Sequence, residues 1–252
     1  MRRLPNIELT DNNLKQIIAD GRIDFGSEAM ICLNNNPHTV YKIFREPGTI
    51  KSTPMSENKY KKILRLYDEQ LEDSVQVIST ISNKGELIGY ETSFDQNDES
   101  MLDAILTRDE IFYYLRKSAN VLLYYVSKDI TYGDVKSDNI LINKKNKSLK
   151  FCDLDNMQIG ELPIDIMGAE LTKYYEETLS IDEKADAYMH NLFFLEQLIY
   201  RNCSYSEILK SLSESSLSPE LLIYPNKVQE IIRTLTNPSS FKGEYAIQYI
   251  KK

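Results

Sequence analysis

The stretch Ile130–Asn156, ITYGDVKSDNILINKKNKSLKFCDLDN, decides how the chain is read. It holds two short apolar runs, Asn139–Asn143 and Ser148–Cys152, separated by the polar loop Lys144–Lys147, and this pattern predicts two antiparallel strands. That loop length sets Asn143 opposite Ser148 and Asn139 opposite Cys152, so Asn139 and Asp153 are expected at one end of the ladder. An amide oxygen and a carboxylate are hard donors that suit Mg²⁺, which takes few protein ligands and completes its shell with water and phosphate oxygens. Asp134 and Lys136 lie on the loop feeding the same end. A carboxylate there can orient a hydroxyl nucleophile, and an ammonium can neutralise a phosphoryl group in transfer. Charged residues crowd any solvated turn. Four such residues at these fixed spacings, however, recur by chance in only about one chain of this length in a few hundred.

Upstream, the pattern changes twice. A short helix is predicted after Thr10, with Leu14, Ile17 and Ile18 on one face. The runs AMICLN (29–34) and TVYKIF (39–44) then read as a strand pair across the turn NNNPH. A polar helix follows from Ser56 to about Leu71, its stripe expected at Tyr60, Ile63, Leu64, Tyr67 and Leu71. SVQVISTIS (74–82) and ELIGYETSF (86–94) make a second pair joined at Asn83-Lys84-Gly85. From about Met101 the periodicity is helical, with Ile111, Leu115, Leu122 and Val126 on one stripe. Beyond the opening stretch, Asp182 to about Tyr200 is apolar nearly all round, as a buried helix is, and the last fifty residues are short helices broken at Pro219, Pro225 and Pro238. The expectation is an α+β chain with a strand-rich lobe, 1–93, and a helical lobe, 94–252.

Bulk composition narrows the function. The chain has 252 residues, 42% hydrophobic, enough for one large domain or two lobes. A formal net charge of −8 disfavours a dedicated nucleic-acid or anionic-membrane binder. Three cysteines without a CxxC pair fit neither a disulfide framework nor a zinc site, and a reducing cytoplasm is the expected compartment. Two distant histidines, His38 and His190, argue against histidine-based metal or triad chemistry. The N-terminus lacks the apolar core of a signal peptide, and no apolar run approaches the roughly 18 residues of a membrane span.

YGDVKSDNILI followed by FCDLD resembles the catalytic loop and metal-binding segment of the protein-kinase superfamily, and TVYKIF resembles its strand bearing the nucleotide-binding lysine. DEKADAYMHNLFFLEQL resembles the kinase central helix, whose leading aspartate, here Asp186, would tie down the catalytic-loop backbone. The likeness runs from about Ile23 to Tyr200. It implies a bilobal kinase-like fold with a nucleotide-binding first lobe and a second lobe carrying the catalytic loop and metal site. It further implies an ATP- and Mg²⁺-dependent phosphotransferase, of the Ser/Thr type by the order Asp134-Val135-Lys136. By the same resemblance Asp134 is the catalytic-loop aspartate, Lys136 contacts phosphate, Asn139 and Asp153 hold Mg²⁺, and Lys42 pairs with the α- and β-phosphates. Lys42 also sits among Val40, Tyr41, Ile43 and Phe44, where a buried ammonium needs an anion.

IDFGSEAM takes the glycine-rich-loop position with Gly26 alone of three glycines, and the amides of Gly26, Ser27 and Glu28 are expected at phosphate. Glu57 is the expected helix partner of Lys42, with Tyr60 the alternative at that register. The segment Tyr90–Ser93, including Glu91, is expected to bond adenine through its backbone. Tyr132 and Gly133 replace the histidine and arginine before Asp134, so activity should not require phosphorylation of an activation loop. Asp155 replaces the glycine after the metal aspartate. A pseudokinase, binding nucleotide or serving as a scaffold, is the second functional class, and a small-molecule kinase shares every part of the first. The hydroxyl-bearing acceptor is open.

Overall fold

The computed structural model describes residues 4–20, 22–25, 28–165, 167–201, 203–214 and 218–250, with the backbone alone at 22–25. In chain order it has β1 (Asn6–Leu9), α1 (Asp11–Asp20), β2 (Arg22–Phe25), β3 (Ala29–Leu33), β4 (Thr39–Phe44), α2 (Glu57–Glu69), β5 (Val77–Asn83), β6 (Glu86–Ser93) and β7 (Glu99–Ser100). These are followed by α3 (Arg108–Val126), β8 (Ile130–Thr131), β9 (Ile140–Asn143), β10 (Ser148–Phe151), β11 (Gln158–Ile159), α4 (Ala169–Thr178), α5 (Glu183–Leu198), α6 (Tyr205–Glu214), α7 (Pro219–Leu222) and α8 (Asn226–Thr234). The fold is α+β. The chain divides into two compact units, Met1–Glu99 with Asn143–Asp155, and Ser100–Ile142 with Asn156–Lys252. A single cut at residue 93 would have left Asn143–Asp155 with the helices, whereas these residues group with the sheet.

The first unit is built on a six-stranded sheet in the order β1-β5-β6-β4-β3-β2. Alternation sorts its side chains. Leu14 and Ile18 of α1 pack on Met30, Cys32, Tyr41, Ile43, Ile81 and Ile88, while Lys42 points to the opposite face. Lys42 lies across from Tyr90 in the β4–β6 ladder, so these two share a face, as Tyr41 and Glu91 share the other. The β5–β6 turn has Lys84 at φ 52° and Gly85 at φ 79°, the left-handed pair that a tight hairpin demands. β1 was not anticipated. It adds in parallel to β5, from Asn6 opposite Thr80 to Leu9 opposite Asn83.

Ser56 caps α2, its side chain accepting from Lys59 N at 3.2 Å. The buried residues of this helix are Lys59, Lys62, Ile63 and Leu66, a face about one residue round from the apolar stripe expected from spacing. After α2 the chain holds β10 in place: Phe151 N donates to Asp73 O at 2.9 Å and Val75 N to Phe151 O at 3.0 Å. This bridge brings the residues that follow Phe151 onto the Lys42 face of the sheet.

The second unit is helical. A capping box at Thr107 and Glu110 opens α3, which packs on α5. α5 buries twelve of its sixteen residues, as an all-round apolar helix should. A short ribbon, β8 with β11, pairs Ile130 with Ile159 and leads into the Asp134 loop. Proline opens α7 at Pro219, and Pro225 caps α8. Among the described residues no helix is long and apolar enough to cross a membrane.

Candidate functional site

β4 delivers Lys42 to a buried cluster of charge. Its ammonium bonds the Asp153 carboxylate, 111 residues away in sequence, and Asp155 Oδ1 at 2.5 Å. Asp155 is only 1% exposed, yet it is fully engaged: besides Lys42 it accepts from the Tyr90 hydroxyl at 2.7 Å and, on Oδ2, from Lys59 at 3.1 Å. Lys59 reaches Glu28 Oε2 at 3.1 Å as well, and Lys62 lies 3.5 Å from the Asp155 carbonyl. The Phe44 ring sits under both cations, 5.9 Å from Lys42 Nζ and 4.8 Å from Lys59 Nζ.

Lys42, Lys59 and Asp155 hold one another ionised. Burial alone would pull the Lys42 ammonium toward neutrality, but the Asp153 and Asp155 charges override it and raise its pKa well above the usual lysine range. Lys59 is raised in the same way, burial being outweighed by Asp155 and Glu28. Asp155 is held below the carboxylate range, because Lys42 and Lys59 together outweigh its burial. Burial, reinforced by Asp155, pushes the Tyr90 hydroxyl well up, so it remains a donor. Asp153 takes φ 59°, a left-handed strain for a non-glycine residue of the kind that clusters at functional sites.

The second unit presents a separate polar set. Asn139 Nδ2 donates to Asp134 O at 3.0 Å and to Asp134 Oδ2 at 2.7 Å, and Lys136 Nζ lies 2.9 Å from the same oxygen. Beneath them Asp186, at the first turn of α5, accepts from Tyr132 N at 2.9 Å and Gly133 N at 2.7 Å, fixing the backbone that enters Asp134. Burial pushes the Asp186 carboxyl up to about 7 against these two bonds. Gly133 takes φ 78°, a conformation that favours glycine, and a Cβ there would fall 2.5 Å from Ile164 Cδ1, so that side chain would have to move. Tyr205 and Glu196 brace the loop from below: the Tyr205 hydroxyl donates to Val135 O at 2.9 Å, and Ser137 Oγ to Glu196 Oε1 at 2.9 Å.

Several expected roles fall elsewhere. Glu57 does not meet Lys42. As the first residue after the Ser56 cap it points outward, 79% exposed, and pairs with Lys61 at 2.7 Å, while the α2 side chain at the cluster is the cation Lys59. Tyr90 and Glu91 cannot bond a ligand through backbone, since both lie mid-strand in β6 with ladder partners on β4 and β5. Tyr90 enters the cluster by its hydroxyl; Glu91 turns to the other face, where Thr39 and Ser79 donate to it at 2.7 and 2.9 Å. Gly26 and Ser27 lie outside the described residues. Lys59 went unread, although two lysines three apart on α2 were an available signal, and Asp155 was noted only as the replacement for a glycine, not as a counter-ion.

Each unit by itself offers a hard oxygen donor of the kind Mg²⁺ favours: in the second the Asn139 amide oxygen, since its amide hydrogens are directed at Asp134, and in the first the 38% exposed Asp153 carboxylate. Among the described residues no three His, Cys, Asp or Glu side chains converge as a metal cage, and Mg²⁺ bound with phosphate needs none. No protein-family model and no curated protein matches the chain.

Proposed function

We propose that the chain is an ATP- and Mg²⁺-dependent phosphotransferase with a bilobal protein-kinase-like fold, acting on a hydroxyl acceptor of the Ser/Thr kind. One observation carries the reading. The buried lysine of β4 bonds the aspartate that follows β10, and these are the two residues that the motifs assign to phosphate and metal. The Asp134, Lys136 and Asn139 set, clamped from below by Asp186, supplies the remaining parts.

In this reading Asp134 orients the acceptor hydroxyl and takes its proton as the oxygen attacks the γ-phosphorus. The bond from that phosphorus to the β–γ bridging oxygen breaks, and ADP leaves with the electron pair. Lys42 offsets charge on the α- and β-phosphates and Lys136 on the moving phosphoryl group. Mg²⁺ when bound supplies electrostatic stabilisation of the phosphate oxygens, with Asn139 and Asp153 the residues that would hold it. Asp186 and Gly133 keep the Asp134 loop in one conformation.

A pseudokinase is the second reading, favoured by the saturation of Lys42 with two carboxylates, an arrangement that a purely structural ion network would also have. Transfer from γ-labelled ATP to the chain itself or to a generic hydroxyl acceptor separates the two. Labelling by the native chain, lost in Asp134→Ala and Asp153→Asn, supports the phosphotransferase. Equal labelling in all three sinks the residue roles. If native labelling is absent and a Mg²⁺-dependent thermal shift with ATP persists, the pseudokinase holds.

A further inference from the structure

Two buried lysines share one carboxylate in the first unit, and the reaction above uses only one of them. Lys59 Nζ lies on Asp155 Oδ2 while Lys42 Nζ lies on Oδ1, so the two ammoniums are one carboxylate apart, a separation that neighbouring groups of a polyphosphate span. The two side chains are equally accessible, each 10% exposed. Lys59's other partner, Glu28, is 34% exposed. Resting on the phosphotransferase reading, we propose that Lys59 is a second polyphosphate-contacting lysine, yoked to Lys42 by Asp155 and handed from Glu28 to the nucleotide on binding.

If Asp153 were to hold a divalent cation, Asp155 would be the carboxylate left to Lys42, and it is already shared with Lys59. Each ammonium carries three donors and bonds two carboxylates, Asp153 and Asp155 for Lys42, Glu28 and Asp155 for Lys59, so each has a donor to offer a phosphate oxygen. Glu28, unlike Asp155, is exposed enough to re-solvate when Lys59 leaves it.

The test measures binding of ATP, ADP and AMP, each with Mg²⁺, by titration calorimetry on the full chain. Native protein is compared with Lys59→Met, Lys59→Arg, Glu28→Gln and the Glu28→Gln/Lys59→Met double variant, with urea melts to show that each folds. Losing one charge-assisted contact weakens ATP and ADP about 10- to 100-fold in Lys59→Met, with AMP changed little and Lys59→Arg close to native. Glu28→Gln frees Lys59 and tightens ATP by about threefold or more, and the gain vanishes in the double variant. Because Glu28 is partly exposed, this arm stands even where Lys59→Met fails to fold, its readout then being the gain alone. ATP binding unchanged in Lys59→Met, equal weakening of all three nucleotides, or no gain in Glu28→Gln overturns the role of Lys59 while leaving the phosphotransferase intact. A native chain that binds none of the three overturns both.

Discussion

Replacing Asp155 by glycine restores the residue that the kinase likeness expects, and it should damage the protein. The carboxylate is 1% exposed and accepts from Lys42 at 2.5 Å, Lys59 at 3.1 Å and the Tyr90 hydroxyl at 2.7 Å. Removing one partner of a buried ion pair costs about 3–5 kcal/mol, chiefly because the other charge is left uncompensated. Here each lysine keeps a second carboxylate, Asp153 at 38% and Glu28 at 34% exposure, so the lower end, about 3 kcal/mol, is expected. With roughly 2–4 °C per kcal/mol for a chain of this size, the melting temperature should fall by about 6–12 °C. Urea unfolding of native, Asp155→Gly and Asp155→Asn chains measures it, and Asp155→Asn, which keeps the shape but not the charge, should recover less than half. Adding Lys42→Met to Asp155→Gly removes one stranded charge and should return about 1 kcal/mol or more as coupling energy. If Asp155→Gly is within about 0.5 kcal/mol of native, the range of an ordinary surface substitution, Asp155 is not the counter-ion described and the cluster must be redrawn.

Gly133→Ala should cost about 1–3 kcal/mol, from left-handed strain and the 2.5 Å approach to Ile164, and should lower phosphotransfer more than nucleotide binding; a denaturation curve and a labelling assay read the two. Two buried groups on α5 should tilt stability with pH in opposite senses. Asp186 rises from 3.8 to about 7, so its contribution is full below pH 3.8 and is lost as pH climbs to about 7, roughly 4 kcal/mol in all. His190, depressed by burial from 6.5 to about 4, contributes above pH 6.5 and loses roughly 3 kcal/mol as pH falls to about 4. The stability of native relative to Asp186→Asn should therefore fall with rising pH between 4 and 7, and that of native relative to His190→Gln should rise; level differences in urea midpoint would refute both.

Strands whose partners lie nearby in sequence were legible, since AMICL, TVYKIF and ELIGYETS are short β-favouring runs and their turns carry the residues that turns need. The buried face of α2 was not, for a reason specific to charge. Lys59 belongs inside only because Asp155, 96 residues later, awaits it there, and no local periodicity records that. The same blindness affected β6: that its backbone is paired on both sides depends on β4 and β5 flanking it, a property of the sheet order. β1, only four residues long, has too little pattern to announce a parallel partner more than seventy residues on. Individual polar residues fared better than pairings. Lys42 and Asp153 were singled out one by one, and what the sequence concealed was the third charge that joins them to α2.

That the sheet-bearing unit is completed only by Asn143–Asp155 sets a schedule for its birth on the ribosome. When Glu99 emerges, every strand of the six-stranded sheet has been made, yet Lys42 and Lys59 still lack Asp155, which arrives about fifty residues later. At roughly 5–20 residues per second that interval is on the order of several seconds, long compared with the microseconds in which a hairpin closes. During it the sheet carries ammonium groups where the finished protein has an apolar ring and a sealed carboxylate. Until then, of the carboxylates these two lysines meet in the finished unit, Glu28 alone has been made.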